Sequence, residues 1–227
     1  MQVTVIRPTW FAMPMPMFRR SFLAALPLVL ALSVTPARAA GEPLTILALG
    51  DSLTAGLGLE QNEAFPAKLE QALKAKGLDV KVINAGVSGD TAVQGAARLD
   101  WSLTDDVKAV IVELGANDAL RGLDPAQAAA ALKEIVGKLQ AKKLPVLVAG
   151  MRSPPNLGPD YGKAFEAIYA QFAGQEGVLL YPFFLDGVAA DPKLNQQDGM
   201  HPTAAGVDVI VARIMPQVEA LIAMAKK

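Results

Sequence analysis

No cysteine occurs in the 227-residue chain, and there is one histidine, His201. The first absence rules out disulfides, a thiolate metal site, a cysteine nucleophile and a lipidated N-terminal cysteine. The second removes any centre that needs two imidazoles, including the usual catalytic zinc arrangements. Basic runs are missing too: 21 Lys and Arg stand against 22 Asp and Glu without clustering, so the electrostatic footprint of a nucleic-acid binder is lacking. No acidic residue precedes Glu42. Four of the basic residues fall in the first 40 positions, so the rest of the chain carries a net charge of −5 and gains nothing by charge from an anionic membrane surface. Carboxylates, hydroxyls and one imidazole remain as the chemical groups available.

The N-terminus has Arg19 and Arg20, an apolar run from Phe22 to Leu32, then Pro36-Ala37-Arg38-Ala39-Ala40. A basic segment, a short apolar core and an Ala-x-Ala site predict a secretory signal peptide over 1–40, cleaved after Ala39 or Ala40. Its apolar core is about half the ~20 residues of a membrane span, which argues against a retained anchor. Met17 is an alternative start that gives a leader of ordinary length, and Arg19-Arg20-Ser21-Phe22-Leu23 resembles a twin-arginine signal while suiting the general secretory route equally. The expected location is periplasmic or secreted. At 52% hydrophobic and 19% charged residues, the chain has material for one well-packed domain, 41–227, expected to be monomeric.

Within this domain, short apolar runs at 44–49, 80–85, 109–114, 145–149 and 178–181 alternate with stretches of helical pattern. Pro66 and Gly77 punctuate the first helix, ending near 76; the second runs to about 103; Asp124-Pro125 open the third, ending near 142; the last two end near 172 and span 203–223. Five strands alternating with helices predict an α/β fold: a parallel sheet covered on both faces, a three-layer α/β/α sandwich. No internal repeat or linker marks a second domain.

On this reading Ser52 follows the first strand, Gly89 the second, Asn117 the third, and Asp198 and His201 the fifth. All five lie beyond C-terminal strand ends, the rim where open α/β sheets hold ligands. Asp198, three residues before His201, can hold the Nδ1 proton and leave Nε2 to take a proton from Ser52, the division of labour of a Ser-His-Asp triad. The Ser52 N–H, the Gly89 N–H and the Asn117 amide are candidate donors to an oxyanion. Singly, these residues have ordinary structural readings: a helix cap for Ser52, turn residues for His201 and Asn117, and an N-cap-like neighbour of His201 for Asp198. Asp51, Asp90 and Asp118 are assigned to bracing loops. The loop after the first strand offers no phosphate cradle for a flavin.

Gly50-Asp51-Ser52-Leu53, Ser88-Gly89-Asp90-Thr91, Gly115-Ala116-Asn117-Asp118 and Asp198-Gly199-Met200-His201-Pro202 occur in that order, and with them the chain resembles the SGNH or GDSL hydrolase family. Leu120-Arg121-Gly122, the loop from Met151 to Gly158, and Tyr181-Pro182-Phe183-Phe184-Leu185 are similar to the periplasmic branch with thioesterase I, lysophospholipase and arylesterases. Ala116 stands where that branch often has glycine. The resemblance implies a flavodoxin-like sheet and hydrolysis of esters or thioesters through an acyl-serine, without metal or cofactor. It also implies that the loops at 119–124 and 152–161 shape an acyl pocket. A carbohydrate O-deacetylase of the same fold is the alternative, and a non-catalytic binding module a remote one. Because the base must be neutral, activity is expected to rise with pH from the mildly acidic to the neutral range.

Overall fold

The computed structural model describes residues 42–227, together with 1–4, 9–13 and 15. The N-terminal stretches contain no helix or strand, and the expected leader core and cleavage site lie outside the described residues.

Five parallel strands form one sheet: β1 (Leu44–Gly50), β2 (Val80–Gly86), β3 (Val107–Glu113), β4 (Val146–Ala149) and β5 (Val178–Tyr181), in the order β2-β1-β3-β4-β5. Ile46, Leu47 and Leu49 on β1 and Val110, Ile111 and Val112 on β3 are all fully buried, as central strands of a parallel sheet covered on both faces must be. Each large side chain so removed from water contributes about 1.5–3 kcal/mol.

Seven helices cover the sheet among the described residues: α1 (Ser52–Ala55), α2 (Phe65–Ala75), α3 (Ala92–Ser102), α4 (Ala116–Leu120), α5 (Pro125–Ala141), α6 (Pro159–Ala170) and α7 (Ala204–Ala225). Helix α2 packs with α7, while α5 packs with both α3 and α6, giving a helical layer on each face. Leu69 and Leu73 of α2, and Leu132, Ile135 and Leu139 of α5, point into the core at the three- and four-residue spacing of an amphipathic helix. The α/β sandwich expected from the strand–helix alternation is the observed fold.

Strand β3 begins two residues before the expected run, at Val107. Lys108 interrupts the apolar pattern in sequence but lies near the strand's start, where its side chain reaches solvent while Val107 stays buried. Helices α1 and α4 replace what read as loops; four and five residues are too short to show a period.

Register aligns the strand ends that matter. Gly50 sits opposite Gly86 on one side and Glu113 on the other, and Glu113 is opposite Ala149. The chain therefore leaves β1, β2 and β3 at one level, carrying Ser52, Gly89 and Asn117 to a common rim. Gly86 permits this approach: a Cβ there would lie 2.2 Å from the Ala55 N of α1.

Candidate active site

Helix α1 starts directly from the end of β1 because Asp51 caps it, its Oδ1 accepting the Leu53 N–H at 3.0 Å. Ser52, the first helical residue, keeps its hydroxyl 2.9 Å from His201 Nε2. On the other side of the ring, His201 Nδ1 lies 2.6 Å from Asp198 Oδ2. The second carboxylate oxygen, Oδ1, accepts the backbone N–H groups of Met200 and His201 at 2.9 and 3.0 Å. One side chain thus folds the turn and orients the imidazole. The His201 N–H, the Met200 N–H and the imidazole, in that order, pull the Asp198 pKa down to about 2, so this carboxyl stays ionised throughout the neutral range. The turn is tied down by the Gln196 N–H donating to His201 O at 2.7 Å and by a bridge between Asn195 and Pro202.

Gly89 occupies a tight turn closed by the Asp90 N–H donating to Val87 O at 3.1 Å. Its φ of +90° lies in the left-handed region that suits glycine. Arg121 donates to the Gly89 carbonyl at 2.7 Å, anchoring the peptide from across the cleft. Asn117, in the first turn of α4, donates from Nδ2 to Asp90 O at 3.0 Å and to Asp51 Oδ2 at 3.2 Å. Among the described residues, the N–H groups of Ser52 and Gly89 have no protein acceptor. All five residues singled out in the sequence meet at this rim.

The acids assigned to bracing do brace. Asp118 accepts the Ala92 N–H at 2.9 Å, fixing the start of α3. Asp90 pairs with Arg98 at 2.6 Å, and Arg98 also donates to Ala85 O and Gly50 O, each at 2.8 Å, joining the ends of β2 and β1. Arg98 and Glu113 escaped the sequence reading. Their signals were present: an arginine on the inward side of an amphipathic helix, and an acid ending the run Ala109 to Val112. Glu113 is fully buried and accepts a hydrogen bond from the Thr54 hydroxyl at 2.8 Å.

Burial pushes the Asp51 pKa up to about 6, against the pull of the Leu53 N–H, His201 and Asn117. A carboxyl whose pKa is raised in the folded state contributes stability that is complete below its unfolded value of ~3.9 and is lost as pH rises through the folded value. Asp51→Asn gives up one of the two acceptor oxygens at any pH, but its Tm relative to the parent is expected to be more favourable at about pH 8 than at about pH 5. Thermal melts at both pH values check this, and an equal difference at each would contradict it.

Ser52, Gly89, Asn117 and His201 open onto a cavity of about 520 Å³ whose walls include Leu57, Leu120, Met151, Pro154, Pro155, Phe183 and Leu185. Ala116 also lines it, as do parts of the loops at 119–124 and 152–161. A groove of about 710 Å³ between α2 and α7 is larger but presents Lys68 and Lys76 already paired with Asp208 and Glu219. Among the described residues, no cluster of three or more His, Asp or Glu side chains could hold a metal.

A parallel α/β sheet that aligns hydroxyl, imidazole and carboxylate in one hydrogen-bonded series, beside free N–H donors, defines a serine hydrolase. The chain belongs to the GDSL-like lipase/acylhydrolase family, whose profile matches residues 48–209. It is 40% identical over 194 residues to Esterase TesA of Pseudomonas aeruginosa, covering 85% of this chain and 96% of that protein. Identity to Thioesterase 1/protease 1/lysophospholipase L1 of Escherichia coli is 37% over 206 residues, 90% and 97% of the two chains. The solved structure of AlinE4, an SGNH-hydrolase family esterase, superposes with a TM-score of 0.67 at 48% identity, over 79% of this chain and 97% of the other. These relatives support esterase and thioesterase activity on small-molecule substrates.

Proposed function

We propose that this protein is an exported, monomeric hydrolase of carboxylic esters and thioesters that works through an acyl-serine intermediate. One observation carries the reading: the Ser52–His201–Asp198 series opens into an apolar cavity large enough for an acyl chain. Ser52 Oγ attacks the acyl carbonyl as its proton passes to His201 Nε2, with Asp198 holding the imidazolium. The carbonyl oxygen becomes an oxyanion facing the Ser52 N–H, the Gly89 N–H and the Asn117 amide. Collapse expels the alcohol or thiol, which takes the proton from His201. Water then gives its proton to His201, attacks the acyl-enzyme and frees the carboxylic acid, returning Ser52 to its starting state.

Export rests on the leader expected at 1–40, and it places the mature enzyme in the periplasm or outside the cell. No helix among the described residues is long and apolar enough to cross a membrane. Thioesters, aryl esters and lysophospholipids are all substrates that the apolar walls and the relatives' activities support.

The test is hydrolysis of p-nitrophenyl esters from acetyl to palmitoyl by residues 41–227. Each methylene leaving water for the cavity wall is worth up to about 0.8 kcal/mol, nearly fourfold in kcat/KM. Turnover is expected to climb from acetyl to medium chains. A profile that peaks at acetyl would favour the carbohydrate deacetylase instead, and failure of a serine-directed phosphonate to label Ser52 would remove the acyl-serine.

A further inference from the structure

Asp51, Asp90 and Asp118 brace the rim, and a further buried acid, Glu113, lies directly beneath the nucleophile. Glu113 ends β3, paired in register with Gly50, the residue from which the chain turns into Asp51 and Ser52. It is fully buried. Its Oε2 accepts the Thr54 hydroxyl at 2.8 Å and lies 3.4 Å from the Asp51 N–H, so one oxygen reaches both ends of the turn that presents Ser52. Its Oε1 meets no donor among the described residues, and no lysine or arginine pairs with it.

Two carboxyl groups therefore share a small volume of core. They are not equally provided for. Asp51 receives the Leu53 N–H and the Asn117 amide, one on each oxygen, whereas Glu113 receives one well-placed hydroxyl and has an orphaned oxygen. A buried anion with an orphaned oxygen and no cation is far costlier than a neutral acid with the same orphan, and two anions so close oppose each other's ionisation. The other titratable groups around the pair do not reverse this. Tyr169 of α6 keeps its proton, which it donates to Leu114 O at 2.9 Å, Asp90 is engaged with Arg98, and His201 lies on the Asp51 side.

We propose that Glu113 is a positioning residue that acts as a neutral carboxylic acid: it wedges the nucleophile turn through Thr54, and its lack of charge leaves Asp51 as the single anion tethering the Asn117 amide. Burial and the neighbouring Asp51 carboxylate hold the Glu113 pKa well above the ordinary glutamate range, in keeping with this arrangement. The inference rests on the roles given above to Ser52 and Asn117. It adds that the aim of both is set from below by a protonated acid.

The experiment compares Glu113→Gln, Glu113→Leu and Thr54→Val with the parent and with Ser52→Ala, using p-nitrophenyl butyrate across neutral pH and thermal melts to confirm folding. Glu113→Gln, uncharged and of the same shape, is expected to keep kcat within about threefold and leave the pH profile in place. Glu113→Leu and Thr54→Val, which release the turn, are expected to lower kcat by about tenfold or more with KM nearly constant. Infrared difference spectra between the parent and Glu113→Gln at neutral pH are expected to show the carbonyl band of a protonated acid. A Gln variant as damaged as the Leu variant, a displaced pH profile, or a carboxylate band in place of the acid band would overturn the proposal. So would a folded Glu113→Leu with parental kcat; if that variant does not fold, parental kcat in Thr54→Val has the same force. Activity surviving in Ser52→Ala would instead strike the assignment of the site itself, whatever the Glu113 series shows.

Discussion

Ser52→Ala is expected to lower kcat/KM on p-nitrophenyl esters by about 10⁴-fold or more while leaving the fold intact. The nucleophile is a single oxygen, and among the described residues no other hydroxyl lies within hydrogen-bond distance of His201 Nε2. Its removal takes away both the covalent intermediate and the proton that His201 would accept, so the two-step route is lost entirely. What survives is water attack assisted by His201 and by the donors at Ser52, Gly89 and Asn117, because the N–H of residue 52 persists in alanine. The fold has little to lose. Asp51 still caps α1 through the Leu53 N–H, the carbonyl of residue 52 still accepts the Gly56 and Leu57 N–H groups, and alanine is a good helix former. Tm is expected to move by no more than about 2–4 °C, the equivalent of about 1 kcal/mol. Kinetics and a melt on the same preparation decide the matter, and residual kcat/KM above about 1% of the parent would show that Ser52 is not the nucleophile.

The scaffold was readable because burial leaves a strong mark on sequence. β1 and β3 are covered on both faces and so appear as mainly apolar runs, interrupted by Thr45, Lys108 and Glu113, and the glycine and acid at the end of the first run mark where the chain enters the rim. Every parallel strand ends on the same side, which brings Ser52, Gly89 and Asn117 to one rim. Asp198 and His201 lie in the long connection between β5, an edge strand, and α7, and it is this connection that carries them back to Ser52. Finer features leave no such mark. Helices α1 and α4 form through local capping and tertiary packing, not periodicity, so Asn117 read as a loop residue although it sits in a helical turn. Glu113 and Arg98 were hidden for a different reason: a charged residue inside an apolar pattern reads as exposed until the register shows what it faces. Arg121 was visible as part of a motif, but its hydrogen bond to the Gly89 carbonyl spans 32 positions and needs the folded cleft.

Asn117→Ala is expected to reduce kcat by about 10²–10³-fold with KM nearly unchanged, the signature of a donor that acts on the transition state. Its amide is held in place before any substrate arrives, by bonds to Asp90 O at 3.0 Å and Asp51 Oδ2 at 3.2 Å. The longer of these, to a buried anion, can yield to a developing oxyanion with little movement, so one fixed negative partner is exchanged for another as charge builds. The ground-state carbonyl carries too little charge to win that exchange, which is why binding should be spared. Alanine leaves the two backbone donors in place, so the loss should fall short of that in Ser52→Ala. It also deprives Asp51 of one of its two donors, and a destabilisation of about 1 kcal/mol is expected alongside. Asn117→Asp is the sharper control. It keeps the size but directs a carboxylate at both the oxyanion and Asp51, and should be at least as inactive as alanine. A fall in kcat of less than about fivefold for Asn117→Ala, or an effect confined to KM, would mean that the oxyanion is held by the Ser52 and Gly89 N–H groups alone.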